Sequence, residues 1–235
     1  MKTDMNFRFR RNLVIAGLIF SFLCAGGCSQ PGKSSRLYFT KTPSLKLGIT
    51  TQCFVESVPM SLENARKFVD FAQVKYPDLQ AAVLLVGGWT GGNIKDTRKS
   101  DLDKMINLNF YTAYNVVRPL LAHFLNRPEG GQFILIGSRP GMDAASGMDS
   151  FAYAMSKSLI FKLADFINAE GKNKMVSATV IVPSVIDTEA NRKAMPGSDF
   201  TKWVPAESIA DAISFSLSDT GKMLRDPVLK IYNRS

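Results

Sequence analysis

Short apolar runs that stop abruptly at small or polar residues constrain this chain more than any other feature. Residues 81–86 close on Gly87-Gly88, residues 132–137 close on Ser138, and residues 176–182 close on Pro183. Runs of this length bounded by turn residues predict buried strands. Between them, residues 101–125 and 152–169 have helical periodicity. Ser61-Leu-Glu-Asn-Ala predicts an N-capped helix reaching about Val74, with Glu63 early in its first turn. A helix over 205–217 and a last strand near 228–232 complete the pattern. Strands alternating with helices predict an α/β fold built on a doubly wound parallel sheet. The polar stretch Asn191 to Trp203, with Pro196 and Gly197, predicts a mobile loop.

Length and composition narrow the function. At 235 residues the chain is one domain long, large enough to bury roughly 70–75% of its unfolded surface. The formal net charge of +9 invites a nucleic-acid partner, but its distribution opposes one. Residues 1–50 carry eight Lys or Arg and one acid, while residues 51–235 carry 21 and 19. The second part has no basic stripe with interleaved aromatics, so nucleic acid is not expected as a partner. Cys24, Cys28 and Cys53 are too few and too N-terminal for a disulfide framework, and no second Cys/His pair completes a metal site. His123 is the single histidine, and no nucleophile elbow accompanies it. No metal is expected, and hydrolase chemistry is disfavoured.

Chemistry enters at Tyr153-Ala-Met-Ser-Lys157, fifteen residues after Ser138. On a helix, residues at i and i+4 share a face, so the phenol and the ammonium are neighbours. A fixed ammonium pulls a phenol pKa down from about 10. The phenol then becomes a usable proton donor near neutrality, which hydride reduction of a C=O or C=N bond requires. The spacing alone also fits a surface aromatic beside a solvated lysine, so its surroundings decide between the two.

Those surroundings are Met105-Ile-Asn-Leu-Asn109 upstream and Pro183-Ser-Val-Ile-Asp-Thr188 downstream. Asn, Ser, Tyr, Lys, then Pro-x4-Thr, in that order on alternating helices and strands, resembles the short-chain dehydrogenase/reductase family. The resemblance runs from about Phe54 to the C-terminus. Val86-Gly-Gly-Trp-Thr-Gly-Gly-Asn93, Asp187 to Pro196 with Asp199 to Trp203, and Leu229 to Arg234 are similar to segments of quinonoid dihydropteridine reductases and related bacterial reductases. The resemblance implies a Rossmann-like three-layer α/β/α fold and an oxidoreductase using NADP or NAD. The substrate it implies is a small carbonyl or imine compound, pteridine-like compounds included. Tyr153 would be the proton donor, with Lys157 lowering its pKa and bonding the nicotinamide ribose. Ser138 would orient the substrate, with Ser146 and Ser150 as alternatives, and Asn107 would hold a water, with Asn109 competing for that role. Gly87, Gly88, Pro183 and Thr188 would contact the cofactor, Thr188 at the nicotinamide carboxamide, and Trp89 would line the pocket or belong to the core. A homo-oligomer, dimer or tetramer, and a cytoplasmic location are also implied. The alternative is a non-catalytic binding or regulatory protein on the same scaffold that has lost its phosphate-binding turn.

Residues 1–50 form an atypical segment before the domain at 51–235, and three readings of it stand. Arg8, Arg10 and Arg11 precede the apolar run Leu13 to Cys24 and then Ala25-Gly-Gly-Cys28. Twelve apolar residues span about 18 Å as a helix, too short for a bilayer but suited to an export signal or lipid anchor over residues 12–28. Alternatively, Phe20 to Ala25 is the first strand, followed by a degenerate phosphate turn at Gly26 to Gly32. In the third, the segment is foreign to the fold, through a frameshift, wrong start or rearrangement. The resemblance implies that the region selecting NADH or NADPH falls in this segment.

Overall fold

The structure, a computed structural model, describes residues 12–16 and 61–234. The elements in chain order are strand β1 (Asn12–Ala16), helix α1 (Leu62–Lys75), strand β2 (Leu79–Leu84) and helix α2 (Lys99–Met105). Helix α2 runs through a π-helical turn (Ile106–Tyr111) into α3 (Thr112–Leu125), followed by β3 (Gly131–Ile136). Two short helices, α4 (Arg139–Met142) and α5 (Ala144–Gly147), precede the long α6 (Phe151–Gly171) and then β4 (Val176–Pro183). The chain closes with β5 (Ile186–Asp187), α7 (Glu189–Ala194), β6 (Val204–Pro205), α8 (Ala206–Ser216) and β7 (Val228–Ile231).

The main sheet has the order β1-β2-β3-β4-β7, and every pairing in it is parallel. The expected parallel α/β sheet is therefore present. Its strands divide their side chains by the two-residue period between two cores. Ala82, Leu84, Phe133, Leu135, Ala178, Val180 and Val182 face α1, α3 and α6. Ala81, Val83, Ile134, Ile136 and Ile181 face the opposite side, with Ile209 of α8, Ile186 and Val204. Burial on both faces explains why these strands read as unbroken apolar runs rather than alternating ones.

Local chemistry fixes the helix ends. The Ser61 hydroxyl accepts from the Asn64 N–H as the N-cap of α1, whose first turn holds Glu63. Ser138 caps α4, Asp143 caps α5 and Thr188 caps α7 in the same way. The stretch expected as a mobile loop, Asn191 to Trp203, contains the end of α7 and a 3₁₀ turn, Phe200–Lys202. Thr188 as cap, Glu189 in the first turn and Arg192 and Lys193 in the last turn stabilise that short helix.

Strand β1 lies within the run that also fits an export signal. Leu13 to Ala16 pair in parallel with Ala81 to Leu84 of β2. The alternative strand at Phe20 to Ala25, the turn at Gly26 to Gly32 and all three cysteines lie outside the described residues. Among the described residues no helix is long and apolar enough to cross a membrane, and no His, Cys, Asp and Glu cluster could hold a metal ion.

Candidate active site

The carboxyl ends of β2, β3 and β4 deliver three of the expected segments to one edge of the sheet: Gly87-Gly88, Ser138 and Pro183. In open parallel sheets this is the edge where ligands bind. Helix α6 crosses beneath it and contributes Tyr153 and Lys157 from one face. Both are buried, Tyr153 at 9% exposure and Lys157 at 3%, beside Ser138 at 4%.

Lys157 Nζ donates to the carbonyl of Ile136, the last residue of β3, at 2.8 Å. That bond fixes the lysine against the sheet two residues before Ser138. Ser138 in turn is a hydrogen-bond partner of the Tyr153 phenol, and its Oγ accepts from the Gly141 N–H at 3.3 Å. Serine, tyrosine and lysine thus converge although the chain separates Ser138 from Lys157 by nineteen positions.

Burial sets the electrostatics of this cluster. It raises the Tyr153 pKa above the ordinary phenol value, with the Ser138 hydrogen bond acting in the opposite direction. Burial also lowers the Lys157 pKa to about 8. From the sequence, the ammonium is expected to dominate and pull the phenol down. In the structure, loss of water around the phenol dominates, while the lysine nitrogen is engaged by the Ile136 carbonyl. The phenol therefore holds its proton at neutral pH.

The glycine-rich loop closes the other side. The Gly92 N–H donates to the Asp149 carbonyl at 2.9 Å, and Phe151 N–H donates to the Gly92 carbonyl at 2.8 Å. Gly92 has a φ of 129°, which only glycine adopts without strain. The loop is thereby tied to the residues that begin α6. Trp89 stands on this loop at 43% exposure, against Gly91. It is therefore not a core residue.

Of the two asparagines, the structure brings only Asn109 into the cluster. Asn107 is exposed, and its carbonyl accepts from the Thr112 N–H and, at 3.2 Å, from Thr112 Oγ1. Asn109 is 1% exposed, and its Oδ1 accepts from the Gly88 N–H at 2.8 Å. Its Nδ2 donates to the Gly88 carbonyl at 3.0 Å and to Ser156 Oγ at 2.9 Å. The signal that distinguishes them is present in the sequence. Met105, Asn109, Ala113, Val116 and Leu120 lie on one buried helical stripe, and Asn107 lies off it.

Gly87 is packed closely against the cluster: a Cβ placed there would stand 2.8 Å from Asn109 Oδ1 and 3.1 Å from Lys157 Nζ. Among the described residues Lys157 makes one hydrogen bond, leaving further donor positions on its nitrogen for sugar hydroxyls. The residues present fit a nicotinamide dinucleotide. Pro183 and Thr188 stand at the same edge, Pro183 at the end of β4 and Thr188 at the N-cap of α7.

A profile of the short chain dehydrogenase family matches residues 50–199. The chain belongs to the short-chain dehydrogenase family. Within it, the chain is similar to a dihydropteridine reductase of Dictyostelium discoideum, 28% identical over 154 residues and covering 64% of each chain. It is also similar to a 3-oxoacyl-[acyl-carrier-protein] reductase of Aggregatibacter actinomycetemcomitans, 23% identical over 137 residues and covering 56% of each. The chain thus spans a little over half to just under two thirds of these relatives. Among solved structures it is similar to ElxO with NADP bound, with a TM-score of 0.68, 19% identity, and 78% of this chain and 76% of that chain covered. That likeness shows the short-chain dehydrogenase fold.

Proposed function

We propose that this protein is an NAD(P)H-dependent reductase that delivers hydride to a carbonyl or imine of a small molecule, with pteridine-like compounds as the favoured class. The observation that carries the proposal is the convergence of Ser138, Tyr153 and Lys157, all buried, at the carboxyl edge of a parallel sheet. The relative named dihydropteridine reductase supports the substrate class, and the NADP-bound structural neighbour supports the cofactor.

A nicotinamide nucleotide held here would supply the hydride, two electrons and one hydrogen, for the substrate carbon. Tyr153 gives its phenolic proton to the adjoining oxygen or nitrogen, so C=O becomes CH–OH or C=N becomes CH–NH and the balance closes. Ser138 holds that heteroatom beside the phenol. Lys157, at a pKa of about 8, is mostly protonated at pH 7. Its charge stabilises the phenolate left after transfer, and its nitrogen bonds the ribose. Gly87 and Gly88 admit the cofactor to the backbone, and Thr188, whose Oγ already accepts from the Asn191 N–H at 3.2 Å, keeps its own O–H to donate to the carboxamide.

The exposed apolar side chains Phe166 and Met155 on α6 support self-association. The cytoplasm, where reduced nicotinamide nucleotides are available, is the proposed location. The test is NADPH- or NADH-dependent reduction of a quinonoid dihydropteridine, measured for the wild type and Tyr153→Phe. Turnover that disappears in the variant supports the assignment, and equal turnover in both overturns the role of Tyr153. A folded wild type without turnover or nucleotide binding would favour the binding-protein alternative.

A further inference from the structure

We infer that Asn233 is a positioning residue for the substrate: from the segment after β7 it clasps the stretch that returns from α7 to β6, whose other end is anchored next to Thr188. The inference rests on the reductase assignment above for its kinetic readout. Its conformational readout is independent of that assignment.

Topology brings this segment to the site. Strand β7 pairs in parallel with β4, with Pro183 opposite Ile231, so both strands end at the edge where ligands bind. The Ser184 N–H donates to the Ile231 carbonyl at 3.0 Å, and Ser184 Oγ donates to the Tyr232 carbonyl at 3.0 Å. The Tyr232 ring centroid lies 5.4 Å from the guanidinium carbon of Arg139, the residue after Ser138. The backbone leading to Asn233 is thus held by the chain beyond β4 and stacked beside the chain beyond β3.

Asn233 then turns the chain. Its φ of 52° lies in the left-handed region, which Asn enters more readily than most residues with a Cβ. Its Nδ2 donates to the Trp203 carbonyl at 2.7 Å and to the Thr201 carbonyl at 3.2 Å. Both donors of the amide are therefore spent on one short segment some thirty positions earlier in the chain.

That segment connects back to the site through side chains. The Trp203 ring lies 4.8 Å from Phe200, and the Phe200 ring lies 4.9 Å from the Arg192 guanidinium. Arg192 in turn donates to both carboxylate oxygens of Asp187, the residue before Thr188. An unbroken run of contacts joins Asn233 to the N-cap of α7. Among the described residues, the other hydrogen bonds of Phe200–Lys202 stay between Asp199 and Trp203. A turn held mainly by local bonds opens readily, so the two bonds from Asn233 decide how long it stays in place.

The test is Asn233→Gly, which keeps the left-handed turn and removes both donors. The first readout needs no activity: limited trypsin digestion under native conditions, with cleavage after Lys202 followed by mass spectrometry. Loss of two long-range bonds should raise the open population, and the cleavage rate with it, on the order of 10-fold. Asn233 is exposed, so Tm should stay within about 3 °C of wild type. The second readout is initial rates with a quinonoid dihydropteridine. KM should rise about 10-fold, with kcat and nucleotide Kd within about 2-fold of wild type. Cleavage and KM both unchanged would overturn the inference. Faster cleavage with KM unchanged would overturn the substrate role, and a parallel loss of kcat and nucleotide affinity would overturn it in favour of general loosening. A wild type that resists trypsin but neither binds nucleotide nor turns over would show that the reductase assignment has failed, while the cleavage comparison still decides the clasp.

Discussion

Lys157 and Ile136 are joined by a 2.8 Å hydrogen bond from the lysine nitrogen to the last carbonyl of β3. This bond ties the helix that bears the tyrosine to the strand that ends in Ser138. It also places an ionisable nitrogen where water does not reach, which makes Lys157 a stability determinant as well as a site residue.

The pH dependence follows from that burial. The folded pKa of Lys157 is about 8, below its ordinary 10.5. Between those values the unfolded chain binds more protons, so stability rises with pH across this window. The burial penalty is fully present below pH 8 and fades as pH approaches 10.5. Lys157→Met is therefore expected to be more stable than wild type at pH 7, by on the order of 3 kcal/mol. Urea denaturation at pH 7 and pH 10 should show that difference shrinking, while turnover is lost at both values.

Gly141 holds α4 against α6. A Cβ there would stand 2.8 Å from the backbone carbon and the Cβ of Lys157, too close without movement of one helix. Gly141→Ala should displace Ser138, which caps the same helix, from Tyr153. The expected kcat loss is on the order of 100-fold, read by steady-state kinetics, with circular dichroism confirming a folded protein.

Arg192 anchors α7 by two bonds to Asp187, at 2.6 and 2.7 Å, and its guanidinium lies 4.9 Å from the Phe200 ring centroid. The pair is solvent-exposed, so Arg192→Ala should change Tm by less than about 3 °C. Its effect should fall on the substrate. KM is expected to rise severalfold with nucleotide affinity unchanged, measured by initial rates at saturating cofactor.

Strand β1 covers one edge of β2, whose residues Ala81 to Leu84 are all buried. Deleting residues 1–28 removes that strand and leaves a long apolar edge. The truncated chain should aggregate or melt at least about 5 °C lower. Thermal denaturation and light scattering of the two forms decide the point, and an equally stable, monodisperse truncation would contradict it.

Much of this architecture is legible because burial on both faces writes an unmistakable apolar run into β2, β3 and β4. The Tyr153 and Lys157 spacing is legible because the helix period fixes it. What escapes the sequence depends on contacts between distant segments. The rise of the Tyr153 pKa reflects how completely the fold excludes water, which spacing does not encode. The prominence of Asn109 over Asn107 is written in the stripe from Met105 to Leu120, but a motif match points to the neighbouring residue. The short helix α7 is obscured by Pro196 and Gly197, which lie just beyond it, although Thr188, Glu189 and Arg192 mark its ends.

The most direct test of the central claim is titration of the full-length protein with NADPH and NADH, monitored by the fluorescence of Trp89, which stands on the glycine loop. A Trp203→Phe background isolates that signal, since Trp203 is buried beside Phe200. Saturable micromolar quenching by one or both nucleotides, lost or weakened at least about 10-fold in Lys157→Met, is the predicted result. A folded protein whose fluorescence responds to neither nucleotide would contradict the account.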